Sequence, residues 1–191
     1  SQIEVDELVT NLTRFSIFLP EKRTFFLENS DLFSDVGYPD VRPFFSRTIG
    51  LDSKRQAVPI LYGARLTGNL TKTLRLGIMN IHSLSSDNSN AQNQSALSMQ
   101  KQFGRSYIKG MFLNRQGFDD FSSIAGDYGR NSSLEAAYVR DDGQLSAWLG
   151  IHHSYKPEVS ENTGFYTAGI EFNNPKWEGI LVSAITQENY F

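Results

Sequence analysis

The sequence predicts an all-β fold, an antiparallel meander of about nine or ten long strands. Three observations carry this. From residue 57 to 187 apolar and polar residues alternate with the period of two that marks strands. Turn signals such as Asp141-Asp142-Gly143 and Asn174-Pro175 recur between the alternating runs. No long segment of helical period interrupts them, which excludes a plan of alternating strands and helices.

Composition narrows the chemistry. The chain has 191 residues, enough for one medium domain with a real core. It carries 14 Phe, 8 Tyr and 2 Trp, and a net charge of -3. That charge, without a basic stripe, argues against a nucleic-acid surface. The absence of cysteine removes disulfides, thiolate metal sites and a cysteine nucleophile. No segment approaches the ~18 consecutive apolar residues of a membrane helix, which leaves a membrane β-barrel open. The N-terminal residues lack the basic-then-apolar pattern of a signal peptide.

Taken in order, Thr13 to Leu19 alternates and reads as a strand ending at Pro20. Pro20 to Leu51 has neither period and is dense in charges, paired aromatics and turn residues, with a short helical turn expected near Arg23 to Leu27. Residues 1–51 therefore form one unit, an N-terminal strand plus an irregular plug or clasp, and residues 52–191 form the meander. Ala57 to Gly68 is a strand that Pro59 restricts to an edge or a strand start, and Gly68-Asn69 reads as its hairpin turn. Thr71 to Leu84 returns, and Ser85 to Gln94 is a polar loop. Ser95 to Phe103 and Ser106 to Arg115 pair around Gly104-Arg105. Phe121 to Arg130 and Ser133 to Arg140 read as a pair around Asn131-Ser132. Gln144 to Tyr155, Thr163 to Asn173 and Lys176 to Gln187 complete the set.

The late strands alternate most cleanly: Leu145, Ala147, Leu149 and Ile151 oppose Ser146, Trp148, Gly150 and His152. A soluble sandwich alternates in the same way. Strand length, near the ~9–11 residues needed to cross a bilayer at a tilt, favours a transmembrane β-barrel, whole or partial. So do aromatics near strand ends: Phe103, Tyr107, Tyr155, Phe165, Phe172 and Trp177. Lys101, Arg105 and Lys109 weigh against it by thinning the apolar face of 95–115. Physical reasoning alone leaves the membrane barrel and a soluble β-sheet domain as equal readings.

The ordered blocks FLPEKRTFFLENSDLF, RPFFSRTIGL, VPILYGARLTG and LRLGIMNIHS add a resemblance. Together they resemble a family of Bacteroidota-type bacteria whose members carry a domain of unknown function numbered 5916, often fused to a carbohydrate-binding-module-like domain of the family 9 type. The dense part covers about residues 11 to 84, and Thr48 and Asn29 depart from the family pattern. The resemblance implies an outer-membrane β-barrel of which this chain is a segment, located in the bacterial outer membrane, and it supplies no catalytic residues.

Candidate chemistry is sparse. Glu21 and Glu28 have the residue type of a glycosidase acid and base. The simpler reading joins Glu21, Lys22, Arg23, Glu28, Arg42 and Arg47 in a mixed-sign structural ion-pair set, with Phe25, Phe26, Phe44 and Phe45 as aromatic anchors of an ordered, largely buried plug. His152 and His153 are adjacent and face opposite sides of a strand, so with His82 they make a poor metal set. No catalysis, cofactor or metal is expected. The expected role is structural, assembly or transport, and the alternative is a soluble glycan-binding β module. Expected partners are outer-membrane lipid, further outer-membrane or periplasmic subunits, and glycans.

Overall fold

The structure is a computed structural model that describes residues 23–38, 41–119 and 122–190. The expected strand Thr13 to Leu19 lies outside the described residues, as do Glu21 and Lys22.

Eight strands form one antiparallel sheet in sequence order: β1 (Ile60–Thr71), β2 (Leu74–Ser83), β3 (Ala91–Phe103), β4 (Ser106–Asp119), β5 (Ser122–Val139), β6 (Leu145–Tyr155), β7 (Gly164–Asn173) and β8 (Glu178–Thr186). The sheet is open, with β1 and β8 as its edges. Short turns join strands at one end, at Lys72-Thr73, Gly104-Arg105, 140–144 and 174–177. The β2–β3 and β6–β7 connections at the other end are longer. Asn174 Oδ1 shapes the last turn by accepting the amides of Lys176 and Trp177, both at 2.8 Å.

Two expected turns are strand instead. Gly68-Asn69 continues β1, and the chain reverses at Lys72-Thr73, where Thr71 Oγ1 accepts the Leu74 amide at 3.1 Å. Asn131-Ser132 lies inside β5, an 18-residue strand that replaces the expected hairpin and lowers the strand count. Asn131 is an inward-facing amide: its Nδ2 donates to the Tyr190 hydroxyl at 3.1 Å, and its Oδ1 accepts from Ser133 Oγ at 3.0 Å. Pro59 does precede an edge strand, and its carbonyl accepts the Leu84 amide at 2.9 Å.

The two faces differ. Outward rows run Leu66–Ile78–Leu97–Phe112 and Leu76–Met99–Gly110–Leu134–Ile151–Tyr166–Ile185. Apart from Gly110 and the half-buried Leu76 these positions hold exposed apolar side chains, Leu66 to 66% and Leu134 to 54%. The inner face carries the irregular segment, described over residues 23–38 and 41–58. This segment holds α1 (Thr24–Leu27), α2 (Asp31–Ser34) and a single 3-10 turn at Ser46–Thr48. Phe26, Leu32, Phe33 and Ile49 pack with Met79, Ile81 and Ala96, flanked by Phe44, Ile60 and Leu113. The core therefore sits between the irregular segment and β1 to β4. Gly77 makes room for it: a Cβ there would stand 2.7 Å from the Phe33 ring. Farther along, Trp148 lies across Gly169, where a Cβ would meet its ring at 2.1 Å.

Burying a side chain such as Leu32 or Phe33 contributes about 1.5–3 kcal/mol. Phe33→Ala is expected to cost about 3–5 kcal/mol, because it also leaves a cavity. Gly77→Val, which pushes the same ring away, should cost ~1–3 kcal/mol. Chemical unfolding followed by tryptophan fluorescence measures both, and a loss below 1 kcal/mol in both variants would contradict this packing.

Candidate functional site

The residues that hold the plug come from the inner face of five successive strands, and the local reason lies in α1 and α2. Each helix is a single turn, too short to pair its own last carbonyls. The sheet supplies the missing donors. Arg65 on β1 donates to the carbonyls of Phe25 and Glu28. Ser98 on β3 donates to the Leu32 carbonyl. Lys109 on β4, only 2% exposed, donates its ammonium to the carbonyls of Asp31 at 2.6 Å and Asp35 at 2.7 Å. Arg75 on β2 grips the Asp31 carboxylate with two nitrogens, the longer contact at 3.1 Å. Glu135 on β5 accepts the Gly37 amide at 2.6 Å. Gly37 has φ +92, and a Cβ there would strike the Val41 carbonyl, so the turn that presents this amide requires glycine.

A second clasp is built on one carboxylate. Asp52 Oδ1 accepts the amides of Gln56 at 2.8 Å and Lys54 at 2.9 Å. Its Oδ2 accepts from Asn88 Nδ2 at 2.9 Å and Ser86 Oγ at 3.4 Å. The end of the plug is thereby tied to the β2–β3 loop. These donors, with the Gln56 amide foremost, hold the Asp52 carboxyl below the usual carboxylate range.

The expected site residues fall around this cradle. Arg23 donates to the carbonyls of Ser46 at 2.8 Å and Ile49 at 3.0 Å and stacks on the Phe26 ring at 4.3 Å. It joins α1 to the 3-10 turn that contains Arg47. Glu28 is exposed and engages Arg65 through its backbone carbonyl. Arg42 is exposed. Of the four phenylalanines, Phe26 is buried, and Phe44 is half-buried against Phe33 with ring centroids 5.7 Å apart. Phe25 (37% exposed) meets Phe26 edge-on at 5.0 Å, and Phe45 is 42% exposed. Sequence reasoning missed Arg65, Arg75, Ser98, Lys109, Glu135 and Asp52. The available signal was a charge at an inward step of a strand, as in Lys109 of SYIKGMFL.

Beside the plug, the inner face of β5 to β7 holds a buried polar chain. Ser133 Oγ stands 2.9 Å from His152 Nδ1, and His152 Nε2 lies 3.5 Å from Glu135 Oε1. The residue types are those of a hydrolytic triad, but the Ser133 hydroxyl is directed to Asn131 Oδ1 at 3.0 Å. The tail closes over this chain: the Tyr190 ring meets Phe165 at 5.6 Å, and burial pushes its hydroxyl up to about 12. His82 and His153 face outward, His82 stacked on Tyr62 and His153 meeting the Tyr155 ring edge-on at 4.8 Å. Among the described residues no three His, Asp or Glu side chains gather as a metal site. An open polar cleft of about 500 Å³ lies between the plug and the short turns, lined by Asn29, Asn69, Lys72, Arg75, Gln100 and Gln102.

The family model described as a domain of unknown function (DUF5916) matches residues 1–73. The matched stretch includes α1, α2, β1 and its turn, and it supports the family that the ordered sequence blocks resemble. Neither the curated proteins nor the solved structures contain a match to the chain.

Lys109→Met removes both hydrogen bonds to α2 and is expected to cost about 1–3 kcal/mol. It should expose the bonds after Arg47, Lys54 and Arg55 to trypsin, and digestion at the wild-type rate would refute the anchor. The Asp31 clasp is pH-dependent. The Arg75 hydrogen bond holds the Asp31 carboxyl below its ordinary value of 3.8, so its stabilisation is complete above that value and is lost as pH falls through the lowered one. Hydrogen exchange of residues 31–38 should accelerate between pH 5 and pH 2 relative to the intrinsic rate, and Asp31→Asn should remove that dependence.

Proposed function

We propose that this chain is a plugged wall segment of a bacterial outer-membrane β-barrel with a structural, assembly or transport role. The observation that supports this best is the slant of the outward apolar band. On β2 to β4 the band begins at the row Ile78–Leu97–Phe112. On β5 and β6 that row is already Ser132 and His153, and the band begins one pair lower, at Leu134–Ile151. Its lower border drops further. On β3 it ends at Lys101, whereas on β6 and β7 it continues to Leu145–Phe172. Taken together the borders descend by on the order of one residue per strand. With ~3.4 Å per residue and ~4.8 Å between strands, that is a slope of roughly 35°. A flat hydrocarbon layer crossed by strands tilted like those of a closed barrel produces such a slant.

Other features agree. Soluble monomers rarely expose a continuous apolar patch beyond a few hundred Å², and this band spans the sheet. The fringe toward the longer loops holds Tyr62, His82, Phe118, Tyr128 and Tyr155, and the fringe toward the short turns holds Phe103, Tyr138, Phe172 and Trp177. Both suit aromatic girdles. The charges that weigh against a barrel in the sequence leave the band intact: Lys109 points inward, Arg105 binds the Asp141 carbonyl in the turns at 3.0 Å, and Lys101 reaches Thr73 at 2.7 Å at the border.

A soluble glycan-binding module is the second reading, favoured by the amide-lined cleft. Partition separates the two. The purified chain is expected to require detergent and to insert into liposomes. Monodisperse behaviour in plain buffer with a cooperative melt would decide for the soluble reading. Leu134→Arg, at the middle of the band, should weaken insertion by about 2–4 kcal/mol, while Thr73→Arg at the border should change it by less than ~1 kcal/mol.

A further inference from the structure

We propose that the outward face of β5 and β6, where it meets the β6–β7 connection, holds the phosphate of an anionic membrane lipid between Arg130 and Lys156, with the acyl chains of the lipid lying on the apolar band. The inference rests on the membrane-barrel reading and goes beyond it by assigning a lipid site.

The border of the band toward the longer loops is uncharged on the first four strands. The outward positions just beyond it there are Ala64, Asn80, Ser95 and Asn114. Arg130 of β5 continues the same row, opposite Asn114 on one side and Tyr155 of β6 on the other. Its guanidinium is held in place: Nε donates to Asn114 Oδ1 at 3.0 Å, and the group lies over the Tyr128 ring at 4.7 Å. That arrangement occupies Nε and leaves the terminal nitrogens for a ligand. Arg130 is exposed, and no carboxylate among the described residues pairs with it. Asp127, close in sequence, is taken by Arg115 at 2.8 Å.

Tyr128 and Tyr155, the neighbours of Arg130, line a cleft of about 480 Å³. His153 continues the wall, and Lys156, Glu158 and Thr163 of the connection complete it. The walls are oriented by contacts of their own. The Tyr155 hydroxyl stands 3.2 Å from Ser132 Oγ, and His153 Nε2 stands 2.9 Å from the Thr163 hydroxyl. Lys156 is half-buried, its backbone is bridged to Val159, and no carboxylate among the described residues pairs with it either. Two unpaired cations thus face one acid, Glu158. A phosphate suits such a cleft, because a guanidinium offers paired N–H donors to its oxygens and an ammonium adds a point charge.

Position selects a lipid as the source of that phosphate. The row of Arg130 lies two residue pairs beyond Leu134–Ile151, where the apolar band begins on these strands. Basic side chains at the edge of a hydrocarbon layer attract anionic headgroups. A lipid held there lays its chains on Leu134, Ile151 and Tyr166, contacts that a free phosphate cannot make. β5 and β6 lie inside the sheet, paired with β4 and β7, so the site does not depend on what adjoins β1 or β8.

Native mass spectrometry of the whole chain in detergent tests the site. One phosphatidylglycerol per chain is expected to bind at least tenfold more tightly than diacylglycerol with the same chains, which lacks the phosphate, or than inorganic phosphate, which lacks the chains. Arg130→Gln combined with Lys156→Gln should weaken phosphatidylglycerol binding at least tenfold. Lys176→Gln, in a turn at the opposite end of the sheet, should leave it unchanged. Glu158→Gln removes the opposing acid and should tighten binding, a gain that a misfolded variant cannot imitate. Equal binding of phosphatidylglycerol and diacylglycerol, inorganic phosphate as tight as the lipid, or an unchanged double variant overturns the proposal. A chain that inserts into liposomes yet shows no such preference refutes the site and leaves the membrane reading standing. A chain that does not insert refutes the membrane reading and the site with it.

Discussion

The structure depends on one match between backbone and sheet. Two single-turn helices cannot satisfy their own carbonyls, and a buried carbonyl without a partner costs about 1–3 kcal/mol. Arg65, Ser98 and Lys109 meet those carbonyls from three strands, while Arg75 and Glu135 hold a carboxylate and an amide from two more. Each of β1 to β5 thus contributes one polar anchor, and together they fix where the plug sits. The apolar contacts of Phe26, Leu32 and Phe33 add energy. The hydrogen bonds add direction, because each requires a particular carbonyl at a particular strand.

That match explains the unusual distribution of polarity. The inner face must carry cations, hydroxyls and carboxylates, since it binds main chain. The outer face carries the exposed rows through Ile78, Leu97, Leu134 and Ile151. Here the small apolar cluster lies under the plug on β1 to β4, and beyond it the inner face closes with Trp148 over Gly169 and with the tail residue Tyr190 over Phe165. Among the described residues the sheet has β1 and β8 at its edges.

The meander, its antiparallel order and several of its turns were legible in the sequence. Gly104-Arg105, Asp141-Asp142-Gly143 and Asn174-Pro175 turn where the residue types say they should, because turn chemistry is local. The same rule misleads at Asn131-Ser132 and Gly68-Asn69. An inward face that binds main chain uses Asn, Ser and Gly within strands, and these are also the residues of turns. Asn131 is held in β5 by Tyr190, 59 positions away in sequence, which no local pattern can express. The plug is recognisable as a unit by its lack of period, and its helical turn near Arg23 to Leu27 is present as α1. Its anchors were not legible, since Lys109 and Glu135 look like ordinary strand charges until α2 and Gly37 lie against them.

By itself the sequence determined an antiparallel succession of strands and the irregular block that precedes it. Period, proline and glycine act over a few residues and need no distant partner. The tertiary structure alone decided which face each strand turns inward, that β5 is one strand, and that the charges of β1 to β5 serve the plug. Those outcomes depend on register and on contacts between residues far apart in the chain, where shifting a strand by one residue would turn every side chain to the opposite face.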